Sequence, residues 1–578
     1  MLFLCCMILA GLQCSVVTAK AATGTVKIEI TKDEIEEQGI DTVVQRALNE
    51  AREYATEENP YEITVPKGTY QLQHTLLVYS NTKLNLKGVT LYAEERKNVV
   101  HVGSLDMVDG NGATGHCYRN ITIEGGIMDG GYHSGTVLKV GHASNFKMKG
   151  VTLRNVLNAH LMETGGVKGL TVKNCTFKNQ ISTSEEINYY EALQLDVLCS
   201  SHLAAYRSET LNTTDVLIDH CKFYNTPRGV GSHTAILNQP MTNITISNCT
   251  FQKMGSVAIQ SLHWKNATIK NNVIKETPRA IACYLATARG AGTYLPSVVA
   301  AVGNTQTTLS DEYREPSKNM GLLIKDNFIA TNAITDPYAP YERVAILVSG
   351  VYMDQQYPIN VDYSGGIPLG DYCYSGVDII DNTINTTGHG IRCIDVKNAV
   401  LSGNRIIGNA TEDTTYYHGI QIMTKSNIIS IRDNIIRHAV TNGIYVNRDS
   451  EVALVENNSI TGSGKYGIGI ESATVGTISN NSIKNTREKG IFIYNHAKTR
   501  KIRNNWIDRV SGAQGRGIHV CVSAIAGEVI GNSIARAGEY GILASSVSSI
   551  DLIKDNTVTD VTVKAVYATL DSAIKSGY

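Results

Sequence analysis

The sequence predicts an all-β fold, a right-handed parallel β-helix with an N-terminal capping helix, and three observations predict it. A unit of Asn, any residue and a β-branched apolar residue recurs at Asn382, Asn404, Asn434, Asn458, Asn481, Asn505, Asn532 and Asn556, in steps of 22, 30, 24, 23, 24, 27 and 24 residues. A period in this range is one solenoid coil per repeat. Gly-Ile pairs follow about ten residues after these units, at Gly390-Ile391, Gly443-Ile444 and Gly517-Ile518 among others. Within each unit the apolar residues alternate, as in Gly443-Ile-Tyr-Val-Asn447, which is the period of a strand and not of a helix.

The elements follow in order. Residues 1–21 read as a secretory signal: Leu2 to Leu12 is an apolar core too short to span a bilayer, and Ala19-Lys20-Ala21 offers a cleavage site. Residues 22–60 hold a strand over 24–32 and a helix from Asp41 to Ala55, with Val44, Ala47, Leu48, Ala51 and Ala55 on one face. An amphipathic helix placed before the first coil covers the open end of a solenoid. Coils with insertions occupy 61–375, regular short-looped coils 376–570, and a tail 571–578. The insertions at 178–190, 197–215, 234–242 and 285–320, with a Gly/Tyr/Pro-rich stretch at 335–375, come from neighbouring coils and build the walls of a groove. Function is therefore expected in the N-terminal half, with the regular coils as scaffold.

Bulk properties narrow the partners. The chain has 578 residues, a length that suggests several domains in a globular protein but not in a one-dimensional solenoid. A net charge of −1 without a basic run argues against nucleic acid and anionic membrane surfaces. The aromatic residues are mostly Tyr, 29 against 7 Phe and 2 Trp, and tyrosines stack well on sugar rings. Of 12 cysteines three leave with the signal, and the odd remainder argues against a disulfide framework. Cys175, Cys221 and Cys249 share one repeat position and are expected to stack inside the coil as small apolar residues, not as a metal site.

The helix, the Ile63-Thr-Val-Pro-Lys-Gly-Thr-Tyr70 strand and the Asn81-Thr-Lys-Leu84 entry resemble the opening of the pectate-lyase-like superfamily, and the resemblance extends over most of 24–570. It implies a pectate-lyase-like solenoid and a carbohydrate partner, an inference by fold analogy.

Aligning the strands that follow each Asn-Cys-Thr-Phe-like turn sets Ala159-His-Leu-Met-Glu163, Ala192-Leu-Gln-Leu-Asp196, Gly229-Val-Gly-Ser-His233 and Ala258-Ile-Gln-Ser-Leu262 in rows. Glu163, Asp196 and His233 then form one outward column, at about 4.8 Å per coil. Leu161, Gln194, Gly231 and Gln260 form the next column, and Glu191, Arg228 and Arg279 precede their strands. Stacked charges perturb one another's pKa, as acid–base chemistry requires; the bland alternative is a solvated face where these groups meet by chance. Carboxyl groups one coil apart leave both retaining (about 5 Å) and inverting (about 6.5–9.5 Å) hydrolysis open.

Glu191-Ala-Leu-Gln-Leu-Asp196 and Gly229-Val-Gly-Ser-His233 are similar to strings in secreted bacterial β-helix proteins presumed to act on polysaccharides. This implies a secreted, extracellular protein of Gram-positive bacterial type. Asp196 is assigned as principal acid or nucleophile, Glu163 or Glu191 as its partner, and His233 as proton shuttle or pKa tuner. Arg228 is assigned as a clamp on a sugar carboxylate or hydroxyl. Gln194, Gln260 and His263 are expected to bind sugar hydroxyls, and Tyr189, Tyr190, Tyr206 and Trp264 to stack on rings. His220, in a string similar to one in pectate lyases, takes the repeat's Asn position. Gly388-His389-Gly390 is similar to a polygalacturonase motif but falls on the regular repeat.

The leading expectation is a secreted glycoside hydrolase that cleaves internal bonds of a polysaccharide and needs no cofactor. A polysaccharide lyase or C5-epimerase on a uronic-acid polymer is the second reading. Arg228 and Arg279 would neutralise the uronate there, and Ca²⁺ becomes possible without a dense Asp cluster to declare it. A non-catalytic glycan-binding or adhesin solenoid is the third.

Overall fold

The computed structural model describes residues 24–105, 114–183, 190–198, 203, 205–236, 239–285, 293–294, 319–332, 343–350, 373–409 and 416–577. The expected signal, Tyr189 and most of the 285–320 and 335–375 insertions lie outside the described residues. Each coil carries three strands on three faces, as in Lys168–Lys173, Thr176–Ile181 and Glu191–Asp196. Equivalent strands of successive coils pair in parallel, the first faces in a 19-stranded sheet. The second and third faces merge into a 32-stranded sheet because Lys222–Gly231 and Thr250–Leu262 run around the corner between them. Inward side chains of all three faces form one apolar core along the axis. The chain is a right-handed parallel β-helix.

The N-terminal end is closed as expected, with one more helix than expected. Val26–Glu29 pairs with Tyr61–Thr64, and α1 (Lys32–Gln38) and α2 (Ile40–Tyr54) follow. A capping box between Thr31 and Glu34 starts α1, a short signal that straddles the end of the expected strand. From α2, Ile40, Val43, Val44, Ala47, Leu48 and Ala51 are buried over the first coil. Its polar side chains meet the coil's unpaired backbone: Asp41 Oδ2 accepts from Gln73 N at 2.6 Å and His74 N at 2.7 Å, and Gln45 Oε1 from Leu77 N at 2.8 Å. Donors that would otherwise form an open edge are thereby satisfied.

The recurring Asn is a continuous internal ladder. Each Oδ1 accepts from the backbone N and the Nδ2 of the preceding coil's Asn, as Asn458 does from Asn434 at 3.1 and 2.9 Å. The ladder begins two coils earlier than the repeat shows, at Asn272 and Asn327. Cys249 N–H donates to Asn272 Oδ1 at 2.9 Å, so the Cys175–Cys221–Cys249 stack is the same ladder in thiol form. These three thiols are free and buried, and Phe177, Phe223 and Phe251 stack beside them at 4.8 and 4.6 Å. His220, like Asn174 and Asn248, holds the left-handed turn position, with φ between 53° and 55°.

Candidate active site on the third face

The third-face strands place the candidate residues, and their register differs from the expected one. Backbone pairing sets Glu163 opposite Gln194, and Gly165 opposite Asp196. Gln194 faces Gly231, which faces Gln260. The expected Glu163–Asp196–His233 column is therefore corrected: Glu163 belongs with Gln194, and Leu161 lies in the core instead of the outward column. Matching Ala159 to Ala192 slips the register by two residues. Such a slip keeps Glu163, Gln194 and Asp196 on their expected face and so leaves little trace in the alternation, although Leu161 and His160 at the strand entry take the opposite faces from those expected.

Register and side-chain reach bring together Glu191, Arg228, His233, His160, Gln194 and Asp196. Glu191 faces Arg228 across the ladder, and its Oε1 accepts from Arg228 Nη1 at 2.9 Å. His233 Nδ1 lies 3.0 Å from Glu191 Oε2. His160 Nδ1 lies 2.8 Å from the Glu191 carbonyl, and its ring stacks on His233 at 5.9 Å. Gly231 makes room for this arrangement, since a Cβ there would stand 3.0 Å from Glu191 Cγ. Gln194 Nε2 donates to Asp196 Oδ2 at 2.7 Å and lies 3.1 Å from His233 Nε2, itself 4.0 Å from Asp196 Oδ2. Asp196 Oδ1 accepts from Val197 N at 2.9 Å.

The two carboxyl groups are driven apart electrostatically. Burial pushes Asp196 up to about 7, against the opposing influence of His233 and the Val197 N–H. Burial also acts to raise Glu191, but His233, then Arg228 and His160, overcome it and hold that carboxyl down at about 2. Burial lowers His233, yet the charge and hydrogen bond of Glu191, with Asp196, raise it overall. His160 is lowered by burial despite nearby Glu163 and Glu191. Asp196 is thus the carboxyl that holds a proton most readily, with His233 Nε2 4.0 Å from its Oδ2. Glu163 stands apart, with Lys139 Nζ at 3.1 Å and Thr136 Oγ1 at 3.3 Å.

Several expected contacts with substrate are corrected by burial. Trp264 is fully buried, donating from Nε1 to Ser232 Oγ at 2.8 Å, and cannot present a ring to a sugar. Tyr206 packs on His101 at 4.6 Å with its hydroxyl on the Val102 carbonyl. His263 is buried in a left-handed turn, and burial holds its imidazole down at about 3. Arg228, only 2% exposed, is an internal counter-ion to Glu191 and not a clamp reaching for substrate. Arg279 donates to the Tyr284 hydroxyl at 2.9 Å, in the same register column as Arg228. Gln260 is nearly buried and donates to the Ser232 carbonyl at 3.2 Å. Tyr190, half-buried against His160 at 5.6 Å, and the His233 edge remain toward solvent. His160 and Lys139 escaped the sequence reading. A histidine at an expected inward position was the available signal for His160.

The same face changes character in the regular coils. Arg392, Gln421, Tyr445, Gly469, Phe492 and His519 continue one register column. Phe492 stacks on Tyr494 at 4.2 Å and on His519 at 5.1 Å, so these coils carry an aromatic face beyond pure scaffold. His389 of the Gly-His-Gly string is buried there against Tyr417.

Comparison with known proteins agrees with the architecture. A family described as right-handed β-helix region matches residues 119–292, which include the cluster, and one described as periplasmic copper-binding protein (NosD) matches 342–536. Among the described residues no three His, Cys, Asp or Glu side chains gather as a metal site. The surface adhesin PfbA of Streptococcus pneumoniae is similar in fold at 17% identity, covering 74% of this chain and 88% of its own, with a TM-score of 0.47. The tailspike of E. coli bacteriophage HK620, solved with a pentasaccharide, is similar at 11% identity, covering 92% and 76%, with a TM-score of 0.31. No curated protein matches the chain. Among the described residues no helix of the β-helix is long and apolar enough to cross a membrane.

Proposed function

We propose that the protein is an exported glycan-interacting β-helix that lays a polysaccharide along its third face. The observation that supports this reading is the third-face column outside the core, in which Glu163 and Gln194 are followed along the axis by Tyr445, Phe492 and His519. Hydrogen-bonding groups followed by aromatic rings suit a ligand with polar edges and apolar faces.

Hydrolysis at Asp196 is the finer proposal. A carboxyl group pushed up to about 7 beside one held at about 2 is the pattern of a proton donor next to a fixed anion. Asp196 would protonate the leaving glycosidic oxygen while water adds to the anomeric carbon and loses a proton to the basic partner, and that proton would return to Asp196 through His233. Arg228 and His233 occupy both oxygens of Glu191, whereas the Lys139 and Thr136 contacts of Glu163 both fall on Oε2, so the basic partner falls to Glu163. A specific observation favours non-catalytic binding instead: Asp196 and Glu191 are both fully buried.

Digestion of neutral and uronic polysaccharides, following reducing ends and unsaturated-uronate absorbance together, separates the readings. Hydrolysis predicts reducing ends without absorbance, falling at least about 100-fold in Asp196→Asn. Absorbance rising in step would replace hydrolysis with elimination. Retention of polysaccharide without cleavage, unchanged in Asp196→Asn, would establish the binding solenoid, and neither cleavage nor retention would overturn the glycan reading.

A further inference from the structure

On the corner between the second and third faces, away from the acid–base cluster, lies a pocket of about 400 Å³. This is within the usual range for small-molecule sites, about 300–1,000 Å³. Gln180, Ser182, Asn332, Lys253, Glu276 and Met254 line it, together with Pro227 and the Asn225 turn.

Its polar groups lack partners in an ordered way. Gln180 is 3% exposed, and its Nε2 donates to three carbonyls, Ala159 at 2.8 Å and Tyr190 and Glu191 at 3.2 Å each. Those three acceptors identify the nitrogen end of the amide, so the oxygen end is the one left over. Gln180 Oε1 is buried with no hydrogen-bond partner among the described residues, and so are Ser182 Oγ and Asn332 Oδ1. Three buried oxygens around one pocket call for hydroxyl donors, because an unpaired buried acceptor is costly. Lys253 and Glu276 on neighbouring coils add opposite charges, and the carboxylate and two amide oxygens disfavour an anion. Met254 and Pro227 are buried apolar surfaces suited to the C–H face of a ring.

We propose that this corner is a binding site for a neutral pyranose, taken as a free sugar or as a side branch of a longer glycan. Gln180 and Asn332 accept its hydroxyl hydrogens, Ser182 pairs with a neighbouring hydroxyl, and Met254 packs under the ring. The site is separate from the Asp196 cluster and does not rest on catalysis there. The Gln180 amide that would receive the sugar also holds the carbonyls of Tyr190 and Glu191, so an occupant steadies the start of the strand that carries Glu191.

The test is calorimetric titration of the full chain with methyl β-galactoside, methyl β-glucoside, methyl α-mannoside and N-acetylglucosamine, with inorganic phosphate as the anion probe. One of the glycosides is expected to bind, weakened at least about tenfold in both Ser182→Ala and Asn332→Ala and unchanged in Asp196→Asn. Both alanine variants remove atoms that make no hydrogen bond among the described residues, so the fold is expected to persist, checked by unchanged circular dichroism. Binding by none of the four sugars, binding as tight in the two alanine variants as in wild type, or phosphate in preference to sugar would overturn the proposal. A polysaccharide digest that fails at Asp196 leaves this result standing, and failure here leaves that digest standing.

Discussion

Glu191 is the residue on which the candidate site turns. A buried carboxylate is tolerated only with its charge compensated, and Arg228 and His233 compensate it at 2.9 and 3.0 Å. Glu191→Gln leaves Arg228 buried without its counter-charge. It is expected to lose about 3–5 kcal/mol at neutral pH, read from the denaturant midpoint. The sign of the pH dependence follows from the lowered value near 2. The contribution of Glu191 is present above its ordinary 4.5 and is lost as pH falls toward 2, so the difference between variant and wild type shrinks in acid. Asp196 behaves oppositely, because its carboxyl is raised from 3.8 to about 7. Its favourable contribution is full below 3.8 and disappears as pH rises through 7. Asp196→Asn should therefore gain stability relative to wild type as pH rises from 3.8 to about 7 and level off above it, and a constant difference across that window would refute the buried neutral acid.

At the scale of elements, ladders and caps carry the physics. A parallel coil leaves backbone donors at each corner, and the Asn ladder meets them with one side chain per turn. The thiol stack at Cys175, Cys221 and Cys249 replaces amides where Phe177, Phe223 and Phe251 fill the interior. At the N-terminal end α2 meets the first coil with Asp41 and Gln45. Asp41→Ala strands the Gln73 and His74 N–H groups, and is expected to cost about 1–3 kcal/mol of local stability. Hydrogen exchange should show faster opening confined to the first coils. Protection that stays unchanged at Gln73 and His74 would mean that the helix covers the end by apolar packing alone.

Across the whole molecule, each coil touches only its neighbours, so damage should stay local. Asn458→Ala unpairs the Asn434 N–H and Nδ2 that its Oδ1 accepts, and should raise exchange in the coils around residues 430–480. Any activity or binding that depends on Asp196 should be unaffected, since eight register steps of third-face strand separate the Gln194 coil from the coil after Asn458. A parallel loss of function and stability would show that the solenoid unfolds as one unit. The two ends of the third face, one polar and buried, one aromatic, are on this view independent surfaces of a single scaffold.

Period and alternation by themselves determined the β-helix, the capping helix and the positions of the recurring Asn and the Cys stack, because these are local patterns repeated coil after coil. They also placed Gln194, Asp196 and His233 on the outward side, with Arg228 just ahead of its strand. The tertiary structure decided which of these residues meet. A two-residue slip is invisible to an alternating pattern, so Glu163 could be assigned its face but not its partner. Burial was decided there as well: Trp264, His263, Tyr206 and Arg228 read as polar or aromatic surface in the sequence. Only the packing of neighbouring coils and loops shows that their partners are internal. The Gln180 pocket was invisible for the same reason, since an unpaired oxygen is recognised only when everything around it has been placed.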